Sequence, residues 1–262
     1  MTHRWLPLLF ILAAAPLAAD EPAPAADTVK QAATALGDGD AAAFSAAFDS
    51  SMPGLAALRS VATGLLRQAD VQSSIQFRGD SGDGRSRTLQ MDWELRIAER
   101  QASKAVTTRR ARVTCRLSLG SGQWRIAGFE PPDFFAPPRV EGAWDVLQSA
   151  AAALNNGNAA GFLSSFDPSM PDYETLRRGA MALVTEGEVQ SSIDLIANEG
   201  TDASRALEVD WSLQIVTEDT TIHRAGRDER VKCRVELQGK RWRITRLEPA
   251  DFFGAMIAAP NG

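Results

Sequence analysis

Hydrophobic positions change period once in each half of the chain. Residues 28–36 and 145–154 are Ala-rich with helical spacing, and each run ends in a breaker cluster, Gly37-Asp38-Gly39-Asp40 or Asn155-Asn156-Gly157-Asn158. Asp40 and Asn158 then stand as N-caps for helices over 41–48 and 159–166, whose apolar side puts Phe44 and Phe48 four residues apart. Ser51 and Ser169 are expected to cap a third helix, with Pro53 and Pro171 tolerated in its first turn and Leu55, Leu58, Ala62 and Leu65 as its apolar stripe. Beyond about residue 70 the period becomes two. Val71, Ser73, Ile75 and Phe77 share one side, as do Leu89, Met91, Trp93, Leu95 and Ile97, and then Val113, Cys115, Leu117 and Leu119. That alternation predicts antiparallel strands with one buried face and one wet face. Turns at 79–84 and 120–122 separate the strands, and a last strand follows around 123–129.

The whole pattern occurs twice. Val71-Gln72-Ser73-Ser74-Ile75 returns as Val189-Gln190-Ser191-Ser192-Ile193, Trp124-Arg125-Ile126 as Trp242-Arg243-Ile244, and Asp133-Phe134-Phe135 as Asp251-Phe252-Phe253. The spacing is always 118 positions, and 44 of the 108 positions from Thr28 to Phe135 are identical in the second copy. The chain is a tandem duplication of one domain-sized unit. The copies are placed at 28–136 and 143–256, with a stiff Pro137-Pro138-Arg139 linker at 137–142 and a tail at 257–262.

The N-terminus reads as an export signal. His3 and Arg4 precede a short apolar run from Trp5 to Ala15, and small residues continue to Ala19 before Asp20 and Glu21. The run is too short to span a bilayer comfortably, so residues 1–19 are expected to be cleaved and 20–27 to form a Pro/Ala linker. The mature protein is then periplasmic or secreted, with no membrane span.

Composition narrows the classes. With 44% hydrophobic, 23% charged and 7% aromatic residues, the chain is neither a disordered polymer nor a multi-span membrane protein. Two Cys and two His exclude a disulfide-rich scaffold and a histidine-based metal cluster, so no metal and no cofactor are expected. The formal charge of −5 argues against nucleic acid as a partner. The acidic excess lies in the second half, which disfavours polyanions and anionic membranes.

A helix ending in a Gly/Asp or Asn/Gly cluster, an Ala-Ala-Ala-Phe helix, and strands closing on Trp-Arg-Ile resemble the nuclear transport factor 2-like superfamily, which includes ketosteroid isomerase and SnoaL-type cyclases. The matching residues are Gly39-Asp40-Ala41-Ala42-Ala43-Phe44 with Gly122-Gln123-Trp124-Arg125-Ile126, and Gly157-Asn158-Ala159-Ala160-Gly161-Phe162 with Lys240-Arg241-Trp242-Arg243-Ile244. The resemblance implies an α+β fold: two tandem cone-shaped domains, each about three N-terminal helices packed on a curved antiparallel sheet around a pocket. It implies no activity, because that fold carries enzymes, adaptors and binding domains alike.

Catalytic members of such a group use an inward carboxylate and a Tyr or protonated acid. Here the strand carboxylates Asp92, Glu94, Asp194 and Asp210 fall on the wet phase, while Tyr173 reads as helix packing and His223 as a surface connection. Pocket-lining candidates are Phe44, Ser73, Trp93, Trp124, Phe162, Tyr173, Ser191, Trp211 and Trp242, each of which can equally be a core anchor. Phe134 and Phe135 are expected to plug the cone mouth or dock on a neighbour. Recurring outer charges, Asp92, Arg112, Arg116 and Arg125 with Asp210, Arg230, Arg234 and Arg243, are inter-domain candidates, for sheet faces opposed across a pseudo-two-fold. Cys115 and Cys233 sit mid-strand in separate cores and are expected to be buried free thiols. Two function classes remain: an exported non-catalytic binding or interaction module that recognises an apolar small molecule or a protein, and an isomerase-, dehydratase- or cyclase-type enzyme with an apolar pocket.

Overall fold

The computed structural model describes residues 24–100, 104–219 and 221–254, with the side chains of 217–219 and 221–224 excluded. The expected export signal, residues 20–23 of the first linker, the 257–262 tail and the His223 side chain lie outside the described residues.

Each copy runs through three helices and four strands. In the first copy these are α1 (Pro24–Gly37), α2 (Ala41–Ala46), α3 (Leu55–Gln68), β1 (Ala69–Gly82), β2 (Ser86–Glu99), β3 (Ala105–Gly120) and β4 (Gln123–Glu130). In the second they are α4 (Glu141–Asn155), α5 (Ala159–Leu163), α6 (Tyr173–Glu186), β5 (Glu188–Gly200), β6 (Ser204–Asp219), β7 (Thr221–Gln238) and β8 (Arg241–Glu248). Asp27 supplies negative charge in the first described turn of α1.

Local chemistry explains the helix starts. Asp40 accepts the N–H groups of Ala42 and Ala43 at 2.9 and 2.8 Å, and Asn158 accepts that of Gly161 at 2.8 Å. Ser51 and Ser169 do not cap the third helices as expected. Their hydroxyls donate to Asp49 and Asp167 instead, at 2.7 Å each, closing Asx turns before helices that begin after Gly54 and Asp172 in left-handed geometry. The aspartates win because a carboxylate is the stronger acceptor, and it also takes the backbone N–H of the same serine.

The predicted inward phase is the buried one. Met91, Leu95, Ile97, Val113 and Cys115 have no exposed surface, as have Val209, Leu213, Ile215, Val231 and Val235 in the second copy. Burial fades toward the hairpin ends, where Leu119 and Leu237 are exposed. Two separate cores result, one per copy, each between the helices and one face of its sheet.

The two sheets are one. The strand order is β1-β2-β3-β5-β6-β7-β8, with β4 also paired to β3. All pairings between these strands are antiparallel except β3 with β5, where Ala105, Val106 and Thr107 run parallel to Asn198, Glu199 and Gly200. Strand lengths make this possible. The short β4 covers only Thr114–Gly120 of β3, so the N-terminal half of that edge is open to β5. The copies therefore meet head to tail along strand edges.

Candidate functional site

Each domain interior is filled by aromatic rings. Phe135 packs 5.0 Å from Phe44, 5.5 Å from Trp93 and 4.9 Å from Phe129, between ring centroids. Phe253 packs 4.8 Å from Phe162 and 5.0 Å from Trp211. The Phe-Phe turns are tied down from the sheet: Arg109 Nη1 donates to the carbonyls of Phe134 and Ala136 at 2.7 and 2.6 Å. Arg227 does the same for Asp251 and Phe252. A guanidinium suits this because its fork can satisfy two carbonyls that a turn leaves unpaired.

The pocket candidates therefore scatter rather than converge. Phe44, Phe162, Trp93 and Trp211 are core side chains. Ser73 and Ser191 serve the tryptophans, accepting the indole N–H of Trp93 and Trp211 at 2.8 Å each. Trp124 is half-buried against the first core, and Tyr173 against the second. Ser191 also lines a shallow cleft of about 310 Å³ with Asn155, and Trp93 touches a groove of about 420 Å³ on the outer face. Trp242 lines a cleft between the copies.

The outer charges are satisfied close to home. Asp92 accepts from Arg78 at 2.7 Å and Arg112 at 3.4 Å, and Asp210 accepts from Arg230 at 2.9 and 3.2 Å. These arginines hold both carboxyls below the usual carboxylate range. Arg116 faces Glu130 at 3.8 Å, Arg125 donates to the Ala46 carbonyl, and Arg243 donates to those of Ser164 and Phe166 at 3.1 Å. Arg234 alone of the eight inter-domain candidates lines the junction.

Other residues build that junction. Arg109 reaches from β3 to clasp Asp202, in the β5–β6 turn, through two bonds of 2.8 Å. Arg205, on β6 and fully buried, donates to Asn198 Oδ1 and to the Asn198 carbonyl at 2.8 Å each. Its third bond crosses to Thr107 Oγ1 at 2.8 Å, and Thr107 and Asn198 are buried with it. Lys104 donates across to the Leu195 carbonyl at 3.0 Å. Burial pushes the Arg205 guanidinium down to about 10, against the pull of Glu99, Asp202 and Glu199, so it remains charged at neutral pH. Sequence reasoning missed this set. The available signal was an arginine at 87, 109, 205 and 227, each in phase with buried positions of its strand.

Two clefts flank the Arg109–Asp202 clasp, which lines both. One, of about 740 Å³, mixes Val106, Ala203 and Ala206 with the charges of Arg96, Arg110, Arg234 and Glu199. The other, of about 790 Å³, has apolar walls from Phe134, Pro137, Leu237 and Trp242, with Arg139 and Lys240 at hand. Among the described residues no three His, Cys, Asp or Glu side chains gather as metal ligands.

Both cysteines are buried free thiols, pushed up to about 12 by burial. A thiol reagent at pH 8 should find neither in the folded protein and both in denaturant. The same burial gives an alkaline slope. The native thiols keep protons that unfolded ones release above about pH 9, so stability should fall by roughly 1.4 kcal/mol per pH unit per thiol up to about pH 12. Cys115→Val with Cys233→Val should flatten that slope in denaturant melts.

The fold and the duplication define the class: a two-domain α+β protein in which each copy packs three helices on a four-stranded antiparallel sheet. The chain matches no protein-family profile and no curated protein. Similar solved structures include a ketosteroid isomerase-like protein from Erwinia carotovora, 16% identical, covering 41% of this chain and 91% of that one, TM-score 0.36. A nuclear transport factor 2-like protein of unknown function from Shewanella oneidensis is 13% identical, covering 41% and 94%, TM-score 0.31. A cystatin-like-fold protein of unknown function from Nostoc punctiforme is 17% identical, covering 41% and 86%, TM-score 0.33.

Proposed function

We propose that this chain is an exported, non-catalytic binding module that takes an apolar or amphipathic small molecule in the cleft between its two copies. The observation that carries the reading is the contrast between filled cones and an open junction. Phe134-Phe135 and Phe252-Phe253 occupy the interiors, whereas Leu237 and Trp242 face about 790 Å³ of accessible space. Apolar walls with a few convergent polar groups are the usual make-up of a small-molecule site. The isomerase-type alternative has less support, because Asp92 and Asp210 sit on the outer face and are engaged by arginines. Export rests on the N-terminal pattern, and N-terminal sequencing of the mature protein should begin near Asp20.

The test is a thermal-shift screen of apolar ligands against wild type and Leu237→Glu, a change at an exposed wall position that spares both cores. A ligand at 100 times its Kd stabilises by about 2.7 kcal/mol, which is several degrees for a chain of this size. The shift should vanish in Leu237→Glu. A shift retained in that variant, or turnover of the ligand, would overturn the reading.

A further inference from the structure

We propose that two strand edges left unpaired among the described residues, the N-terminal end of β7 and the C-terminal end of β1, are the two halves of a head-to-tail interface for a second copy of this chain, and that altered side-chain partners hold it shut. The inference goes beyond ligand binding and rests on the duplication. The internal junction joins the 105–107 edge of the first copy to the 198–200 edge of the second. Adding or subtracting 118 gives residues 223–225 and 80–82, which end the same sheet. The backbone there is prepared alike. Asp83 N–H bonds the Ser86 carbonyl at 2.7 Å, as Thr201 bonds Ser204 at 2.8 Å. Leu119 N–H bonds the Arg85 carbonyl at 2.9 Å, as Leu237 bonds Ala203 at 2.8 Å. Such a contact is heterologous, so copies would add head to tail into rings or open chains of molecules.

Among the described residues, three side chains bond across the junction, and the equivalent position of one partner in each pair differs at the outer ends. Arg205 bonds Thr107, whereas its counterpart Arg87 would meet Ala225, which has no hydroxyl. Arg109 clasps Asp202, whereas its counterpart Arg227 would meet Gly84, which has no carboxylate. Lys104 bonds the Leu195 carbonyl, whereas its counterpart is Ile222, which has no donor. In addition Asp80 takes the place of Asn198 and holds Arg87 in an ion pair of its own. Three residues of parallel backbone pairing are a small contact, and burying an arginine without its acceptors is costly. The arginines are present in both copies, but Thr107 and Asp202, which they meet across the internal junction, correspond to Ala225 and Gly84 at the outer ends. That difference restricts the interface to one intramolecular junction, which protects exposed strand edges from self-association.

The experiment restores the partners. Asp80→Asn, Gly84→Asp and Ala225→Thr are combined in the full chain, at positions with room: a Cβ on Gly84 meets nothing within 4 Å, Ala225 is half-buried, and the Asp80 side chain is 34% exposed. Sedimentation velocity is read from about 1 to 100 µM, the range in which a weak contact populates. Wild type should remain monomeric, and the triple variant should form a concentration-dependent series of dimers, trimers and longer species. Adding Arg87→Ala to the triple variant should return it to monomer. Circular dichroism checks that each variant is folded, and Gly84→Asp with Ala225→Thr serves if the triple variant is not. A folded variant that stays monomeric overturns the proposal, as does a series already formed by wild type, a dimer that never grows, or assembly that survives Arg87→Ala.

Discussion

Trp211→Ala should cost about 3–5 kcal/mol of folding stability, and Trp93→Ala a similar amount. Both indoles are almost fully buried, and each stands at the centre of its aromatic cluster. Truncation removes the ring, opens a cavity beneath the Phe-Phe turn, and strands a serine hydroxyl that had accepted the indole N–H at 2.8 Å. The hydrogen bond alone accounts for a smaller share. Ser191→Ala should cost about 1–2 kcal/mol by leaving a buried indole N–H unmatched. Denaturant melts at constant slope read these differences directly. A loss below about 1 kcal/mol for either tryptophan would mean that the interior repacks and the plug is not fixed by the ring beneath it.

The second large effect is expected at the junction. Arg205→Ala should cost about 2–4 kcal/mol, because it leaves Thr107, the Asn198 amide and the Asn198 carbonyl buried with a cavity where the guanidinium stood. Arg87→Ala is the internal control. It removes the same residue from the same place in the first copy, where the ion pair with Asp80 is partly exposed, and should cost less than about 1 kcal/mol. Equal costs for the two would contradict a role for Arg205 in joining the copies. Limited proteolysis near Pro137-Pro138 should also quicken in Arg205→Ala and stay unchanged in Arg87→Ala.

Much of the fold was legible because it rests on local rules. Asp40 and Asn158 cap where the cluster-then-apolar pattern puts them, and the inward phase of β2 and β3 follows from period-two alternation. The duplication supplied a second, independent reading of each element. Ser51 falls in a turn and not at the cap, because Asp49 accepts both its N–H and its hydroxyl and the helix starts only after Gly54. The outer charges were legible as Asp–Arg pairs across strands or as an interface, and register decides for the pairs, setting Asp92 beside Arg112 and Asp210 beside Arg230.

The sequence by itself determined the repeat, the helix-then-sheet order of each copy, the face of each strand that is buried, and the burial of both thiols. These follow from spacing along the chain, which burial and backbone geometry enforce at short range. Only the tertiary structure decided how the halves meet. That choice turns on an edge left open because β4 is shorter than β3, and on whether the buried Arg205 finds a threonine 98 residues away in the other copy. No local pattern encodes such a meeting, because its energy exists only once both edges are in place.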